Sequence, residues 1–561
     1  MPPFAASPFA ASPFAGSPFA GSSRGHHLAS IALFCLALPL AAQDLAADFA
    51  RLEAHSPGRQ APPDALLRAA SERLHAALPQ LLVGDDAAAR RLRTLLEQHG
   101  DNLVPSQAMP TKADDPLRRL LVRAYDERLQ QQPAAAVRAL AAAAASFPGA
   151  VPADATAVDL TATIDLAVPG RHSLGLYAAA GAPITVTTGT SPPPGCAVRI
   201  GIHCDDLQPL ERWSRLPRIT RAFPLAGAAN TTIVAACAFG GLVCVEVPPG
   251  HDGRLQVTVR GAVRAPRFLL GTTTPAAWRE HERQAPGPWA ELATAKVVLA
   301  VPSTAVRGLD DPTALLQFWD SVLEGASTLA ARPPGRERPE YFVADLVSRH
   351  RHGASADAIT LPLAEVADLV DLARLQQAPW GVFHELGHVH QRPDWTFAGA
   401  EEVTVNLFSL YLSETLGGRG PDRVWGGNLV RARATLARLL REGGEPWRGP
   451  GGEPDLALRL LMYQQLRQSF GWQPFVDVFA EYAALPDDQR PTTDAQKRDQ
   501  WLVRLSHRVG RDLGPFFQAW GLPTSDAARD HIAGLPDWFP ASWPGIAPAP
   551  DVLPAGAPQG R

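Results

Sequence analysis

Two histidines and a glutamate at helical spacing could bind a metal ion and use it for hydrolysis. The segment reads His384-Glu385-Leu386-Gly387-His388. Residues four apart on a helix lie on one face, one turn apart, so His384 and His388 can reach a single zinc ion. Glu385 lies on the neighbouring face, where it can take a proton from a metal-bound water molecule. The pattern predicts a zinc-dependent hydrolase.

The residues around this motif favour a buried helix over a solvent-exposed one. A surface helix with two solvated histidines is the alternative, and it would not carry so many large apolar side chains. They lie on both sides of the motif: Trp380, Val382, Phe383, Leu386 and Val389.

A hydrolytic zinc site needs a third protein ligand and leaves one position for water. Segment 401–414 predicts a helix that is apolar over most of its circumference, with one polar stripe of Glu402, Asn406, Ser409 and Ser413. Such a stripe on a buried helix needs a polar partner, although it could instead face solvent. We predict Glu402 as the third ligand and Asn406 as the side chain that orients Glu402 or a histidine.

Other acidic and imidazole groups nearby leave alternatives for the ligand set. Glu401, about 100° around the helix from Glu402, is the fallback ligand, and Glu414 is a weaker one. His390 follows His388 by two positions, so it points to the far side of the helix and is not expected to bind the metal.

Several aromatic and imidazole side chains could line a substrate cleft, as pocket aromatics often do. These candidates are Trp380, Trp395, His352 and Tyr411, although residues of this kind are more often ordinary core or rim residues. The donor that stabilises the oxyanion stays open among Tyr411, Tyr463 and His352.

The elements that must position these residues predict an α+β multidomain fold. Residues 44–150 have the apolar spacing of a helical module, and 155–265 alternate like an antiparallel β-sandwich. Residues 266–540 are mixed and then mainly helical, as expected of a zincin-like catalytic domain. The Pro- and Gly-rich stretch 541–561 is predicted to be a disordered tail.

Individual elements follow from the same periodicities. Predicted strands are Ile184–Thr188, Ala197–His203, Thr232–Ala236, Leu242–Val247, Leu255–Val259 and Lys296–Val301. Predicted helices are Thr313–Leu329, Leu456–Phe470 and one that Pro474 opens.

The N-terminal stretch 1–42 combines a repeat with the anatomy of a signal peptide. Residues 3–22 repeat a Pro-Phe-Ala unit, and a basic stretch then precedes an apolar run from Ile31 to Ala42. That run is shorter than the roughly 20 residues a membrane span takes, so no transmembrane helix is expected. We predict an exported bacterial protein that is secreted, periplasmic or on the cell surface; a mistaken start site is the alternative.

Charge and cysteine usage restrict the function classes. With 52 basic and 56 acidic residues the net charge is −4, which excludes the broad positive field of a nucleic-acid binder. An exported protein could oxidise Cys196, Cys204, Cys237 and Cys244 into one or two disulfides, and buried free thiols are an equal alternative.

The motifs resemble those of the M60 (enhancin-like) metallopeptidases. The likeness covers about residues 170–540 and includes 384–391, Trp395 and 402–411. Further matching segments fall in the family's order: 239–243, 246–248, 285–292, 463–466, 470–472 and 520–523. Segment 351–356 departs from the pattern expected before the zinc helix.

The resemblance implies a gluzincin-type peptidase with one zinc ion per chain. It assigns His384, His388 and Glu402 as ligands and Glu385 as the catalytic base. Family members often cleave O-glycosylated, mucin-like proteins, so a secreted endopeptidase with a glycoprotein or peptide substrate is expected. Two alternatives stay open: a non-catalytic glycan- or protein-binding scaffold, and another zinc amidohydrolase or aminopeptidase.

Overall fold

The computed structural model describes residues 45–55, 65–333, 335–347, 353–354, 358–541 and 543. The predicted signal segment 1–42, His352 and nearly all of the predicted tail 541–561 lie outside these residues. From Ala46 onward the chain forms one compact unit. In the part of the chain that is described, none of the helices is both long enough and apolar enough to cross a membrane.

The N-terminal module is helical, as predicted. Its helices are α1 (Leu45–Ala54), α2 (Ala65–Ala76), α3 (Leu78–Val83), α4 (Ala87–His99), α5 (Pro116–Gln131) and α6 (Ala141–Ser146). Aspartates cap two of them: Asp86 accepts a hydrogen bond from the Ala89 amide, and Asp115 accepts one from the Arg118 amide. Leu67, Ala70 and Leu74 form the buried face of α2.

The next region is antiparallel β-structure, which confirms the predicted strand-rich class. Its strands, with β1 from the helical module, are β1 (Thr111–Lys112), β2 (Val158–Asp165), β3 (Gly170–Ala178), β4 (Ile184–Thr188), β5 (Ala197–Ile200), β6 (Arg212–Trp213), β7 (Arg221–Pro224), β8 (Thr232–Ala235), β9 (Gly241–Val247) and β10 (Arg254–Arg264). The large sheet runs β7-β5-β9-β3-β10-β4-β8, with β2 also on β10, and β1 pairs with β6. The first part of the long strand β10 pairs with β2 and β4, and its end pairs with β3.

A six-stranded mixed sheet precedes the helical region. Its strands are β11 (Arg267–Leu269), β12 (Trp289–Ala293), β13 (Val297–Pro302), β14 (Glu340–Asp345), β15 (Gly353–Ala354) and β16 (Ile359–Pro362), in the order β11-β12-β13-β14-β16-β15. Only β13 was predicted. Strands β12 and β14 were missed because both are buried at every position yet contain charged residues, Glu291 among them, so neither shows a clean strand period.

The remaining chain is mainly helical. Its helices are α7 (Pro275–Glu280), α8 (Thr313–Leu329), α9 (Ala367–Val370), α10 (Leu372–Leu375), α11 (Trp380–His390), α12 (Glu401–Thr415), α13 (Asn428–Arg441), α14 (Leu456–Phe470), α15 (Gln473–Ala484), α16 (Asp494–Val509), α17 (Gly514–Ala519) and α18 (Asp526–Asp530). One continuous core connects the mixed sheet to α8, α11, α12 and α14. The predictions for α8 and α14 are confirmed, and Pro474 opens α15 as expected.

A buried polar cluster fastens the antiparallel region to the mixed sheet; we call Arg215, Asp205, Asp345 and His203 the junction cluster. Arg215 Nε and Nη2 donate to Asp345 at 2.9 and 2.6 Å, and Nη2 also donates to Asp205. Arg215 Nη1 donates to two backbone carbonyls at 2.7 and 2.8 Å. His203 Nε2 donates to the Ala344 carbonyl at 3.0 Å. Every guanidinium nitrogen of Arg215 is therefore hydrogen-bonded.

The four cysteines are free thiols in this structure. Cys196, Cys237 and Cys244 are buried, and Cys204 is exposed. Of the two alternatives left open by the sequence, the structure has free thiols, and three of them are buried in the β-region.

Candidate metal centre

Helices α11 and α12 approach each other closely enough that a side chain at Gly387 would not fit. A Cβ atom built on Gly387 would lie 2.4 Å from the Val405 carbonyl oxygen of α12. The glycine inside the His-Glu-x-x-His motif therefore sets the separation of the two helices. Gln391, which follows the last residue of α11, also links this helix to α12. Its side-chain amide donates to the Glu401 carbonyl and to Thr404 Oγ1 at 2.8 and 2.7 Å.

This packing brings the three predicted metal ligands together. His384 Nε2 and His388 Nε2 are 3.2 Å apart, and Glu402 Oε2 lies 3.1 Å from the first and 3.5 Å from the second. All three ligand atoms lie within 4.8 Å of one another. Among the described residues this is the one group of three such side chains near enough to share an ion.

Asn406 fixes which nitrogen of His384 faces the other two groups. Its side-chain amide nitrogen donates to the Glu402 backbone carbonyl at 2.8 Å, so its oxygen must face His384 Nδ1, also at 2.8 Å. An amide oxygen only accepts, so His384 carries a proton on Nδ1 and presents the lone pair of Nε2. The structure thus places Asn406 beside a histidine, one of the two arrangements predicted from the polar stripe.

The electrostatics of the group favour a positive charge at its centre. Burial works against the protonated form of His384, but contacts with Glu402 and Asn406 outweigh it and raise the pKa of His384. Hydrogen bonds from His384 and His388 lower the pKa of Glu402 well below its usual range. Two imidazole nitrogens and a carboxylate oxygen that converge this closely repel one another unless a proton or metal ion lies among them. The residues fit a zinc ion by donor type and by position.

Solvent reaches this group mainly at Glu402. The side chain of Glu402 is 53% exposed, whereas those of His384 and His388 are 18% and 25% exposed. Glu385 follows His384 on α11 and is 6% exposed, and its charge contributes to the raised pKa of His384. The carboxylate predicted as the catalytic base is therefore buried and close enough to His384 to act on its charge.

The alternative ligands are turned away from the centre. Glu401 accepts a hydrogen bond from the Gly399 amide at 2.7 Å, at the start of α12. Glu414 forms an ion pair with Arg467 and accepts a hydrogen bond from Trp472 Nε1 at 2.7 Å. His390 is fully buried, with Nδ1 donating to the Leu386 carbonyl at 2.8 Å.

Trp380 lies at the start of α11, one turn before His384 and on the same face. Its ring stacks on Trp425, with centroids 4.9 Å apart and planes 4° from parallel. Trp425 was not singled out from the sequence. It has a positive φ of 50° and precedes two glycines with positive φ. The Trp-Gly-Gly string was the available signal for this tight turn.

The structure does not bring the other predicted substrate-contacting residues into the cleft. Trp395 is 1% exposed and stacks on Phe479 in the core, so its expected place in the cleft is wrong. Tyr411 lies nine residues after Glu402, about 180° around α12, and packs edge-on against Trp472. Tyr463 is buried as well, at 3% exposure, and His352 lies outside the described residues.

Comparisons with known proteins agree with this architecture. Residues 261–521 match the family model for peptidase M60, enhancin and enhancin-like, and residues 153–260 match the N-terminal domain of M60-like peptidases. Human TRPM8 channel-associated factor 2 is 34% identical over 387 residues, which cover 68% of this chain and 41% of that protein. The cattle (Bos taurus) protein of the same name is 35% identical over 350 residues, 61% of this chain and 37% of that protein. The chain thus spans about two fifths of the length of these curated relatives.

Solved structures share the fold at low sequence identity. A conserved protein of unknown function from Bacillus anthracis has a TM-score of 0.56 at 21% identity, over 70% of this chain and 82% of that one. IMPa from Pseudomonas aeruginosa, solved in complex with an O-glycopeptide, has a TM-score of 0.52 at 16% identity, over 88% of this chain and 63% of that one.

The two family models adjoin at residue 260 and together span about two thirds of the chain. The helical module before residue 153 lies outside both. Members of this family are zinc enzymes in general, and the His384, His388 and Glu402 group is of the type such an enzyme needs. The chain belongs to the M60 family of enhancin and enhancin-like peptidases and has a metallopeptidase fold.

Proposed function

We propose that this protein is a zinc-dependent endopeptidase that hydrolyses peptide bonds in O-glycosylated, mucin-like proteins. The observation that carries the proposal is the convergence of His384 Nε2, His388 Nε2 and Glu402 Oε2, with the first histidine oriented by Asn406. A scaffold without catalysis has no need of three converging lone pairs, which are costly when nothing positive lies among them.

The residues divide the chemistry of peptide hydrolysis among them. A zinc ion on His384, His388 and Glu402 would supply an activated water molecule and polarise the peptide carbonyl. Glu385 would take the proton of the attacking water and pass it to the leaving amine. Asn406 keeps the proton of His384 on Nδ1, so that Nε2 stays available as a ligand.

The proposed substrate class is supported by structural relatives and by an aromatic pair beside the metal centre. Two structural relatives were solved with glycosylated ligands: IMPa with an O-glycopeptide, and a metallopeptidase with Tn antigen, the latter at a TM-score of 0.51 and 16% identity. Trp380 and Trp425 form a half-buried stack beside the metal centre. Such a stack can contact both the polar and the apolar parts of a large substrate such as a glycopeptide.

Cleavage of one mucin-type glycoprotein in its glycosylated and enzymatically deglycosylated forms tests the activity and the substrate class together. We expect internal cleavage of the glycosylated form only, with the new termini mapped by mass spectrometry. Equal cleavage of both forms contradicts the glycan requirement. Terminal trimming in place of internal cuts would make the protein an aminopeptidase.

Zinc content and the loss of activity on metal removal distinguish a zinc enzyme from a non-catalytic binding protein. The wild type should hold about one zinc ion per chain and lose its activity on chelation, and His388→Ala should hold none. A His390→Gln variant is the matched control, because this neighbouring histidine faces the core and should leave zinc content unchanged. A folded wild type without zinc and without cleavage would favour the second candidate.

The second candidate is a non-catalytic binding protein. Its support is the name of the relatives: proteins 34–35% identical to this chain are called channel-associated factors, a name for an association. The zinc assay and the cleavage assay distinguish the two candidates, because a binding protein needs neither metal nor turnover.

We further propose that the protein is exported by a bacterium. The basic stretch and apolar run between Arg24 and Ala42 support this. N-terminal sequencing of the mature protein from the periplasm and the medium of an expressing bacterium tests it. Cleavage near Gln43 is expected, and a cytoplasmic product that retains residues 1–42 would contradict export.

A further inference from the structure

A cavity of about 280 Å³ lies away from the metal centre, between the antiparallel region and the mixed sheet. Strands β2 and β3 form one wall, and β11, β12 and β13 form the other. The cavity is therefore built where the two family models adjoin.

Two neighbouring residues of this cavity carry opposite charges but do not pair. Arg267 on β11 and Glu291 on β12 are register partners in the sheet. The carboxylate of Glu291, which is 1% exposed, instead accepts hydrogen bonds from the hydroxyl groups of Ser173 and Tyr341. Arg267 Nε is buried and has no hydrogen-bond partner among the described residues. This leaves the guanidinium of a cavity-lining arginine with an unsatisfied donor, which costs free energy unless a bound group draws the side chain into a hydrogen bond.

A bulge in β3 creates this arrangement. The register of β3 against β9 shifts between Ser173 and Leu176. Gly175 in the bulge has a φ of 63°, and a Cβ atom there would lie 3.0 Å from Arg267 Cδ. The bulge turns Ser173 toward Glu291, and the missing side chain at Gly175 lets the stem of Arg267 lie against the strand. Bulges often re-aim side chains beside functional sites.

Among the side chains that line the cavity, two are cationic, Arg171 and Arg267, and one is anionic, Glu291. Arg199 binds Glu246 through two hydrogen bonds at 2.5 and 2.9 Å, and Arg171, which lines the cavity, lies 3.7 Å from the same carboxylate. Burial lowers the pKa of His172, which also lines the cavity.

We propose that this cavity is a binding site for a small carboxylate with an apolar body. The carboxylate pairs with the guanidinium of Arg267, beside Arg171. The rest of the ligand lies against aliphatic side chains that line the cavity, namely Ile164, Val168, Leu269 and Val298. This site is independent of the metal centre and of the proposed peptidase activity.

Calorimetric titration of the intact protein with sodium hexanoate, and with hexanamide at the same ionic strength, tests the proposal. Hexanoate should bind, and the neutral amide should bind at least about tenfold more weakly, because it lacks the charge that pairs with Arg267. This comparison needs no variant. Equal binding of the two probes, or no binding of hexanoate, overturns the proposal.

Variants locate the binding. Arg267→Gln should weaken the binding of hexanoate at least about tenfold. Ala162→Leu, which fills the cavity from β2, should weaken it as much without removing a charge. Arg260→Gln removes an exposed arginine of the same sheet region and should leave affinity unchanged. His388→Ala should also leave it unchanged. Loss of binding in His388→Ala, or full affinity in both cavity variants, assigns the carboxylate to another site and overturns the proposal.

Discussion

Two polar clusters in this molecule are built on opposite rules. In the junction cluster, Arg215 and Asp345 are buried and every nitrogen of the arginine has an acceptor within the protein. At the metal centre, His384, His388 and Glu402 are half open to solvent, and their acceptor atoms face one another. The junction cluster is complete as folded, whereas the metal centre is complete only with a cation.

Both clusters are built from ionisable side chains, but the junction cluster has a structural role and the metal centre is arranged for chemistry. In the junction cluster, Arg215 lowers the pKa of Asp345 despite the opposing effect of burial, so the carboxylate stays charged and paired. The cluster therefore holds the antiparallel region and the mixed sheet together, and each guanidinium nitrogen of Arg215 is already hydrogen-bonded within the protein. At the metal centre the residues are held by Asn406 and by the close helix contact, so their remaining lone pairs stay available.

The largest expected effect is on turnover. Glu385→Gln should lower the cleavage rate by about 10²- to 10⁴-fold, because the base is lost while all three ligands remain. Zinc content, measured by atomic absorption, should not change. Glu401→Gln, an exposed carboxylate at the start of α12, is the control and should keep wild-type turnover. Retained activity in Glu385→Gln would show that another group is the base.

Substitution of Arg215 in the junction cluster should lower the stability of the fold and leave the metal content unchanged. Arg215→Met leaves Asp345 buried without its partner and should lower the free energy of unfolding by about 3–5 kcal/mol, measured by urea denaturation. The matched control is Arg260→Met, whose pair with Asp159 is exposed and should contribute less than about 1 kcal/mol. A loss as small as that of the control would mean that the junction does not depend on this pair.

Asn406 tests the orientation of a ligand without removing one. Asn406→Ala should weaken zinc binding by about 10- to 100-fold, since His384 then loses the acceptor that fixes its proton on Nδ1. Competition with a fluorescent chelator measures the affinity. Ser413→Ala, on the same stripe but bonded only to the Ser409 carbonyl, is the control and should bind zinc as the wild type does. Unchanged affinity in Asn406→Ala would contradict the orienting role.

The smallest expected effect is a pH dependence from His203. Burial lowers the pKa of His203 to about 4, so the folded protein keeps it neutral while the unfolded chain protonates it below pH 6.5. Its contribution is present above pH 6.5 and is lost as pH falls toward 4, by about 2 kcal/mol at pH 5. His203→Gln should flatten the difference in unfolding free energy between pH 7.5 and pH 5. An equal slope in wild type and variant would assign the pH dependence to other groups.

The three converging side chains of the candidate metal centre could be predicted because their signal is local. His384 and His388 sit on one helical face, and Glu402 and Asn406 belong to a stripe of fixed helical period, so the spacing alone placed them. The long helices α8 and α14 were predictable for the same reason, since their apolar periods run over four turns.

What the sequence did not predict depends on contacts between distant segments. Arg215 and Asp345 are 130 residues apart, and nothing near either marks the pair. Trp395 stands next to the motif in sequence, yet its ring enters the core, because the turn after α11 directs it toward Phe479 and Trp501. The short strands of the mixed sheet were missed since each derives its stability from its neighbours and not from its own pattern.

The absence of a side chain at Gly387 limits how this site could be transplanted into a designed protein. A scaffold that reproduced only the His-Glu-x-x-His helix would lack the backbone separation at which a neighbouring helix can deliver Glu402. The smallest transferable unit is the packed pair α11 and α12, in which a Cβ atom at position 387 would lie only 2.4 Å from the Val405 carbonyl oxygen. A library that varies position 387 would be selecting helix spacing as well as sequence.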